Sequence, residues 1–172
     1  MLGPGSMIFA SVGSMLPFDR LVEGVDAWAG ANPQVPVFLQ IGNGSYEPVN
    51  CEWSRIMPHQ DYQRRLAECT LFVAHVGMGS ILQALEIAKQ MLLLPRHASL
   101  REHTTDHQLH TADKFRDIKG LLIVDDVAAM QLEMSRLVAQ PMAGSEGIPH
   151  FAPPAMTEKV RDFLSHRVIR RS

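Results

Sequence analysis

Apolar positions along the chain follow two different periods. Short, nearly continuous apolar runs occupy residues 7–12, 35–41, 70–75, 91–94 and 121–124. Each is of strand length, and 70–75 also carries β-branched and aromatic members, as expected of strands buried on both faces. Between them, apolar residues recur at helical spacing. Pro17 and Asp19 suit the first turn of a helix running to about residue 31, with Leu21, Val22, Val25 and Trp28 on one stripe. Further helices are predicted over 59–69, 81–89 (Ile81, Leu82, Leu85, Ala88), 106–118 and 127–139 (Val127, Met130, Met134, Leu137, Val138). A last amphipathic helix is predicted over 156–168, after a loop at 141–154 rich in proline. Gly13-Ser14 and Gly42-Asn43-Gly44 read as turns, and the stretch 45–55 as a loop leading to a short strand around 53–57. About six strands alternating with helices predict an α/β fold: a single Rossmann-like domain with a doubly wound parallel sheet.

Composition narrows the class. The chain has 172 residues, enough for one domain with a substantial core, and is 46% hydrophobic. Its net charge of −2 counts against nucleic acid as a partner. Cys51 and Cys69 form no disulfide framework and read as free thiols in a reducing, cytoplasmic setting. No apolar run approaches the ~20 residues that span a bilayer, and no signal-peptide pattern is present. Residues 1–6 (M-L-G-P-G-S) read as a cloning remnant, which leaves 7–172 as the domain.

The stretch 70–108 carries the candidate chemistry. Strand, glycine turn, helix, strand makes one βαβ unit, and ligands of such sheets bind at the carboxyl ends of the strands. His75, Gly77, Gly79, Ser80, Arg96 and the 102–108 loop all fall on that edge. Glycines admit close approach of backbone N–H groups to phosphate oxygens, and a helix N-terminus adds about half a positive charge. Ser80 can cap the helix or donate its hydroxyl, and His75 can donate a proton or a hydrogen bond. A tight strand–helix junction without a ligand is the plainer reading of G-M-G-S. A second polar cluster comprises Glu102, His103, Asp106, His107 and Gln108; its plainer reading is helix capping with solvated histidines. His103, His107 and His110 stand at i, i+4 and i+7, so an early helix start would align them as zinc ligands of a hydrolase, with Glu102 assisting.

H-x-G-x-x-S at 75–80, a strand ending in Pro95, and D-H-Q-x-x-x-A at 106–112 resemble the donor-binding, carboxyl-terminal half of family-28 type GT-B glycosyltransferases. S-V-G-S-M-L-P-F-D-R at 11–20, H-V-G-M-G-S-I-L-Q-A-L-E and E-H-T-T-D-H-Q-L-H-T-A are most similar to small subunits of bacterial exopolysaccharide glycosyltransferases. The donor-binding subunit of the eukaryotic two-subunit UDP-GlcNAc transferase is also similar. The resemblance runs well over 7–115 and implies a UDP-sugar as donor substrate, with no cofactor and no metal required. It implies that His75, with Gly77, Met78, Gly79 and Ser80, stabilises the diphosphate. Ser14 faces the cleft, and Arg96 lies on the same edge. Of the candidate cluster Glu102, His103, Asp106, His107 and Gln108, the resemblance implies that the last two contact the sugar hydroxyls; by position, it implies that the Met57–Pro58–His59 loop holds the base. Where many relatives place a ribose-binding glutamate this chain has Gln83, so either Gln83 or Glu86, one turn on, holds the ribose. Ala88-Lys89-Gln90 replaces the usual Gly-Lys-Pro. The resemblance further implies a membrane-anchored acceptor-binding subunit carrying the catalytic base, a lipid-linked acceptor, and a peripheral location at the inner face of the membrane. The competing class is a non-enzymatic nucleotide-binding or regulatory module.

Overall fold

A computed structural model of the chain describes residues 6–142. The predicted final helix at 156–168, and all but the start of the 141–154 loop, lie outside the described residues. Six strands form one parallel sheet: β1 (Ile8–Ser11), β2 (Val37–Gln40), β3 (Glu52–Ser54), β4 (Leu71–His75), β5 (Met91–Leu94) and β6 (Leu121–Ile123). Five helices join or follow them: α1 (Asp19–Ala31), α2 (His59–Glu68), α3 (Met78–Glu86), α4 (His107–Phe115) and α5 (Val127–Ala139).

The strand order is β3-β2-β1-β4-β5-β6, so the chain reverses its direction of travel between β1 and β4. That reversal opens a crevice at the carboxyl ends of those two strands. Strand alternation explains the continuous apolar runs. Ile8, Ala10, Leu71, Val73, Leu92 and Leu94 face one core with the buried stripes of α1 and α5. Phe9, Phe72, Ala74, Met91 and Leu93 face a second core, completed by Leu66, Ile81, Leu85 and Ala112 from α2, α3 and α4. Every apolar residue of β1, β4 and β5 therefore leaves water on one face or the other. On the first face α1 and α5 approach closely because Gly24 has no side chain: a Cβ there would stand 2.6 Å from Val127 Cγ1.

Three boundaries differ from the sequence reading. Helix α3 begins at Met78 with Gly77 as its N-cap, so Ser80 lies inside the first turn and does not cap it. Its buried residues are Ile81, Ala84 and Leu85, whereas Leu82 is exposed and Ala88 lies past the helix end. The short edge strand is Glu52–Ser54, slightly earlier than predicted. Helix α4 follows a 3-10 turn at Ala98–Leu100, starts at His107 as expected, and ends at Phe115 and not at 118.

Candidate functional site

At the crevice, strand β1 ends in Ser11 and turns out through Gly13, whose φ of +79° is the left-handed region that glycine tolerates. Ser11 Oγ donates to Gln40 Oε1 at 2.6 Å and accepts from Gly13 N–H at 3.1 Å. Gln40 Nε2 in turn donates to the carbonyls of Gly13 and Arg55. Two polar strand ends thus pin the turn that carries Ser14. Sequence reading did not single out Ser11 or Gln40. The signal was present: a polar residue ending a buried strand, as with His75.

Strand β4 delivers His75 to the same point, against both glycine turns. A Cβ on Gly77 would lie 2.1 Å from His75 Cε1, and one on Gly13 would lie 2.6 Å from Nε2. The imidazole fills space that those two residues leave free. Gly79 is different, since a Cβ built there meets no atom within 4 Å. It lies in the first turn of α3, where N–H groups have no intrahelical carbonyl to bond.

Two adjoining cavities open here, of about 360 and 390 Å³, and both are lined by Gly13, Ser14, Gly79 and Ser80. The first continues past Gln83 to Met57 and His59, with Gln40, Asn43, Ile56 and Tyr62 completing its wall. Pro58, between the two base-loop residues, is the N-cap of α2. The second continues past His75, Gly77 and Met78 to Arg96, His103, His107 and Gln108. Loop 96–108 therefore comes back over β4, a proximity that depends on β5 lying beside it.

Three candidates stand elsewhere. Glu86 is exposed at the end of α3 and lines neither cavity, which leaves Gln83 as the candidate at the ribose position. Glu102 receives two hydrogen bonds from Arg20, at 2.6 and 2.9 Å, and a third from His97 N–H. Its carboxylate is occupied in tying α1 to the loop. Asp106 accepts from Ala98 N–H at 2.9 Å and steadies the 3-10 turn. The zinc alignment also fails geometrically. His103 precedes α4, so His103, His107 and His110 do not share one helix face. Among the described residues no group of three or more His, Cys, Asp or Glu is placed to hold a metal ion. His103 and His107 pack edge to face, with ring centroids 4.2 Å apart.

Charge in the second cavity centres on Arg96. It is 2% exposed, donates to the carbonyls of Val12 and Leu16 at 2.7 Å each, and lies over the Phe18 ring. Burial pushes its pKa down to about 10, against the opposing pull of Glu102, so it stays charged at neutral pH. Burial first, then the charge of Arg96 and the neighbouring His103, holds His75 down at about 4. His75 is consequently a neutral imidazole at physiological pH, suited to donating a hydrogen bond rather than a proton. Tyr62, by contrast, is pushed up by burial, with its hydroxyl against Ser80 and Ser11. Cys51 is raised to about 12 and Cys69 to about 11, each chiefly by burial, so neither thiol is a nucleophile.

The chain is a doubly wound α/β domain with a two-chambered cleft at its switch point, the place where open sheets of this class hold their ligands. Residues 7–139 match the model of the glycosyltransferase family 28 C-terminal domain, and the chain belongs to that family. No curated protein matches it in sequence. Solved structures share the fold. The glycosyltransferase of kitacinnamycin is 20% identical with a TM-score of 0.61, over 79% of this chain and 35% of that one. ALG13 is 16% identical with a TM-score of 0.59, over 84% of this chain and 90% of that one. MurG of Acinetobacter baumannii is 18% identical with a TM-score of 0.54, over 78% and 41%. The chain thus spans about a third of the kitacinnamycin enzyme and most of ALG13. Among the described residues no helix is long and apolar enough to cross a membrane.

Proposed function

We propose that this chain is the UDP-sugar-binding subunit of a two-component inverting glycosyltransferase that acts on a lipid-linked acceptor in exopolysaccharide biosynthesis. The observation that carries the reading is the pair of cavities sharing Gly13, Ser14, Gly79 and Ser80. A nucleotide sugar has two bulky ends joined by a diphosphate, and the cleft has two chambers joined at a helix N-terminus. The base and ribose occupy the chamber of Met57, His59 and Gln83. The sugar occupies that of His107, Gln108 and Arg96. The diphosphate lies at the first turn of α3, where N–H groups and the His75 imidazole receive its charge.

In transfer, an acceptor hydroxyl attacks the anomeric carbon while the bond from that carbon to the diphosphate oxygen breaks, and UDP leaves. The fixed donors stabilise the charge that grows on the departing oxygen, so no metal is needed for that task. The base that removes the hydroxyl proton comes from the second component, which is anchored at the inner face of the membrane and carries the acceptor.

Gly79→Val tests the site. The glycine has ordinary helical backbone and open space at its Cβ, so the substituted chain should fold. Its isopropyl group would enter the space shared by both chambers. Calorimetric titration with UDP is expected to show a loss of at least about tenfold, since backbone approach to the phosphates is blocked. Equal affinity in the wild type and the variant would place UDP elsewhere.

A further inference from the structure

Gln108 was expected to touch the sugar, yet its amide is committed within the protein. It is 3% exposed; Oε1 accepts from the backbone N–H of Arg96 at 3.0 Å, and Nε2 lies 3.1 Å from His75 Nδ1. The first contact settles the direction of the second. A backbone N–H can only donate, so the end of the amide facing Arg96 is the oxygen. The other end is the NH2 group, which can also only donate. A donor against Nδ1 requires a lone pair there, and the proton of the neutral ring must then sit on Nε2. The Nε2 end lies between Gly13 and Gly77, both of which line the second cavity.

We propose that Gln108 is a positioning residue: it locks His75 in the Nε2–H form, so that the uncharged imidazole offers a hydrogen-bond donor to the cleft. The role deepens the assignment of the cleft to a nucleotide diphosphate and rests on it for its purpose, though not for its geometry. A histidine free to choose its tautomer would spend part of its time with a lone pair toward the phosphate oxygens, where it repels them. The charged and titratable groups that act on the ring are Arg96, after β5, and His103, on the loop before α4. Both disfavour an imidazolium, so the donor must come from the tautomer and not from charge. Arg96 thereby serves twice. Its guanidinium ties down the carbonyls of Val12 and Leu16, while its backbone N–H orients Gln108.

The test uses the full chain labelled with 15N, with imidazole nitrogens observed by long-range 1H–15N spectra at pH 8.5 and UDP affinity measured by calorimetry. His75→Gln assigns the His75 signals among the 8 histidines. In the wild type, His75 Nδ1 is expected to be unprotonated and Nε2 to carry the proton. Gln108→Glu preserves length and the acceptor for Arg96 N–H but turns the second contact into an acceptor. The His75 proton should then move to Nδ1, and UDP affinity should fall about tenfold, the worth of one hydrogen bond to a charged group. Gln108→Met removes both contacts and should give a mixture of tautomers. A wild-type ring protonated on Nδ1, or the same tautomer in the wild type and Gln108→Glu, overturns the assignment. A proton that moves while UDP affinity stays unchanged upholds the positioning role and instead removes the diphosphate from this cleft.

Discussion

His75 occupies a slot that would admit no methyl group at Gly77 and none at Gly13 without displacement. Such confinement has a thermodynamic consequence. The folded protein holds the imidazole at a pKa of about 4, chiefly by burial, whereas the unfolded chain takes up the proton near 6.5. Unfolding therefore binds a proton between those values. The stability due to keeping His75 neutral is complete above about pH 6.5 and is lost as the pH falls toward 4, to the extent of about 3 kcal/mol. Urea denaturation of the wild type and His75→Gln at pH 7 and pH 4.5 should show a steeper loss in the wild type. Asp19 and Asp26 do not confuse the window. Burial raises both carboxyls, but hydrogen bonds, from Ser45 and from Asn50 and Tyr46 respectively, outweigh it and leave them below 3.8. Parallel slopes for the two proteins would mean that His75 is not buried as a neutral ring. At this scale the histidine itself was legible, as a polar residue closing an apolar strand. Its partner Gln108 was legible as part of a motif, but its bond to His75 spans 33 positions and follows no local rule.

Helix α3 shows what element boundaries depend on. The glycines at 77 and 79 read as one turn, which puts the cap at Ser80; in the fold Gly77 is extended with a φ of −107°, and Gly79 is already helical. The other end lacks the glycine that usually stops a helix, and the chain is strained there. Ala88 takes a φ of +54°, with its N–H bonded to Leu85 and that of Lys89 bonded to Ala84, which is the Schellman arrangement that usually holds glycine. Ala88→Gly should relieve the left-handed strain and stabilise the protein by about 1 kcal/mol, read as a higher urea midpoint at unchanged slope. An unchanged or lower midpoint would mean that the added freedom of the unfolded chain cancels the gain. Elsewhere a loop that looked formless has an anchor. Fully buried Asp26 accepts from Tyr46 Oη, from the N–H groups of Val49 and Asn50, and from Asn50 Nδ2. Nothing in the 45–55 stretch announces a partner on α1.

For the whole molecule, the sheet order matters more than any one element. Because β1 and β4 are neighbours, the turn at Gly13 and the turn at Gly77 meet, and both chambers open at that seam. On the proposed two-component reading the isolated chain is expected to bind UDP yet transfer no sugar, and transfer into a lipid fraction should appear when the second component is supplied. Radiolabelled sugar recovered in lipid by the isolated chain would contradict the two-component reading. No transfer with any membrane component, alongside intact UDP binding, would favour a nucleotide-binding module without catalysis.

The alternation of apolar runs and amphipathic stripes was enough to determine about six parallel strands and the helices between them, because burial on one face or two writes its period directly into the residues. The motif around His75 and the 102–108 cluster could be assigned to one sheet edge for the same reason, since a strand's polar end marks where its core stops. Which members of that cluster meet the cleft was decided by tertiary structure. Glu102 is drawn away by Arg20, 82 positions earlier, and Gln108 is turned inward by Arg96 and His75. Side chains with several possible partners choose among them by distance in the folded chain, and that distance is set by the neighbouring of β1, β4 and β5.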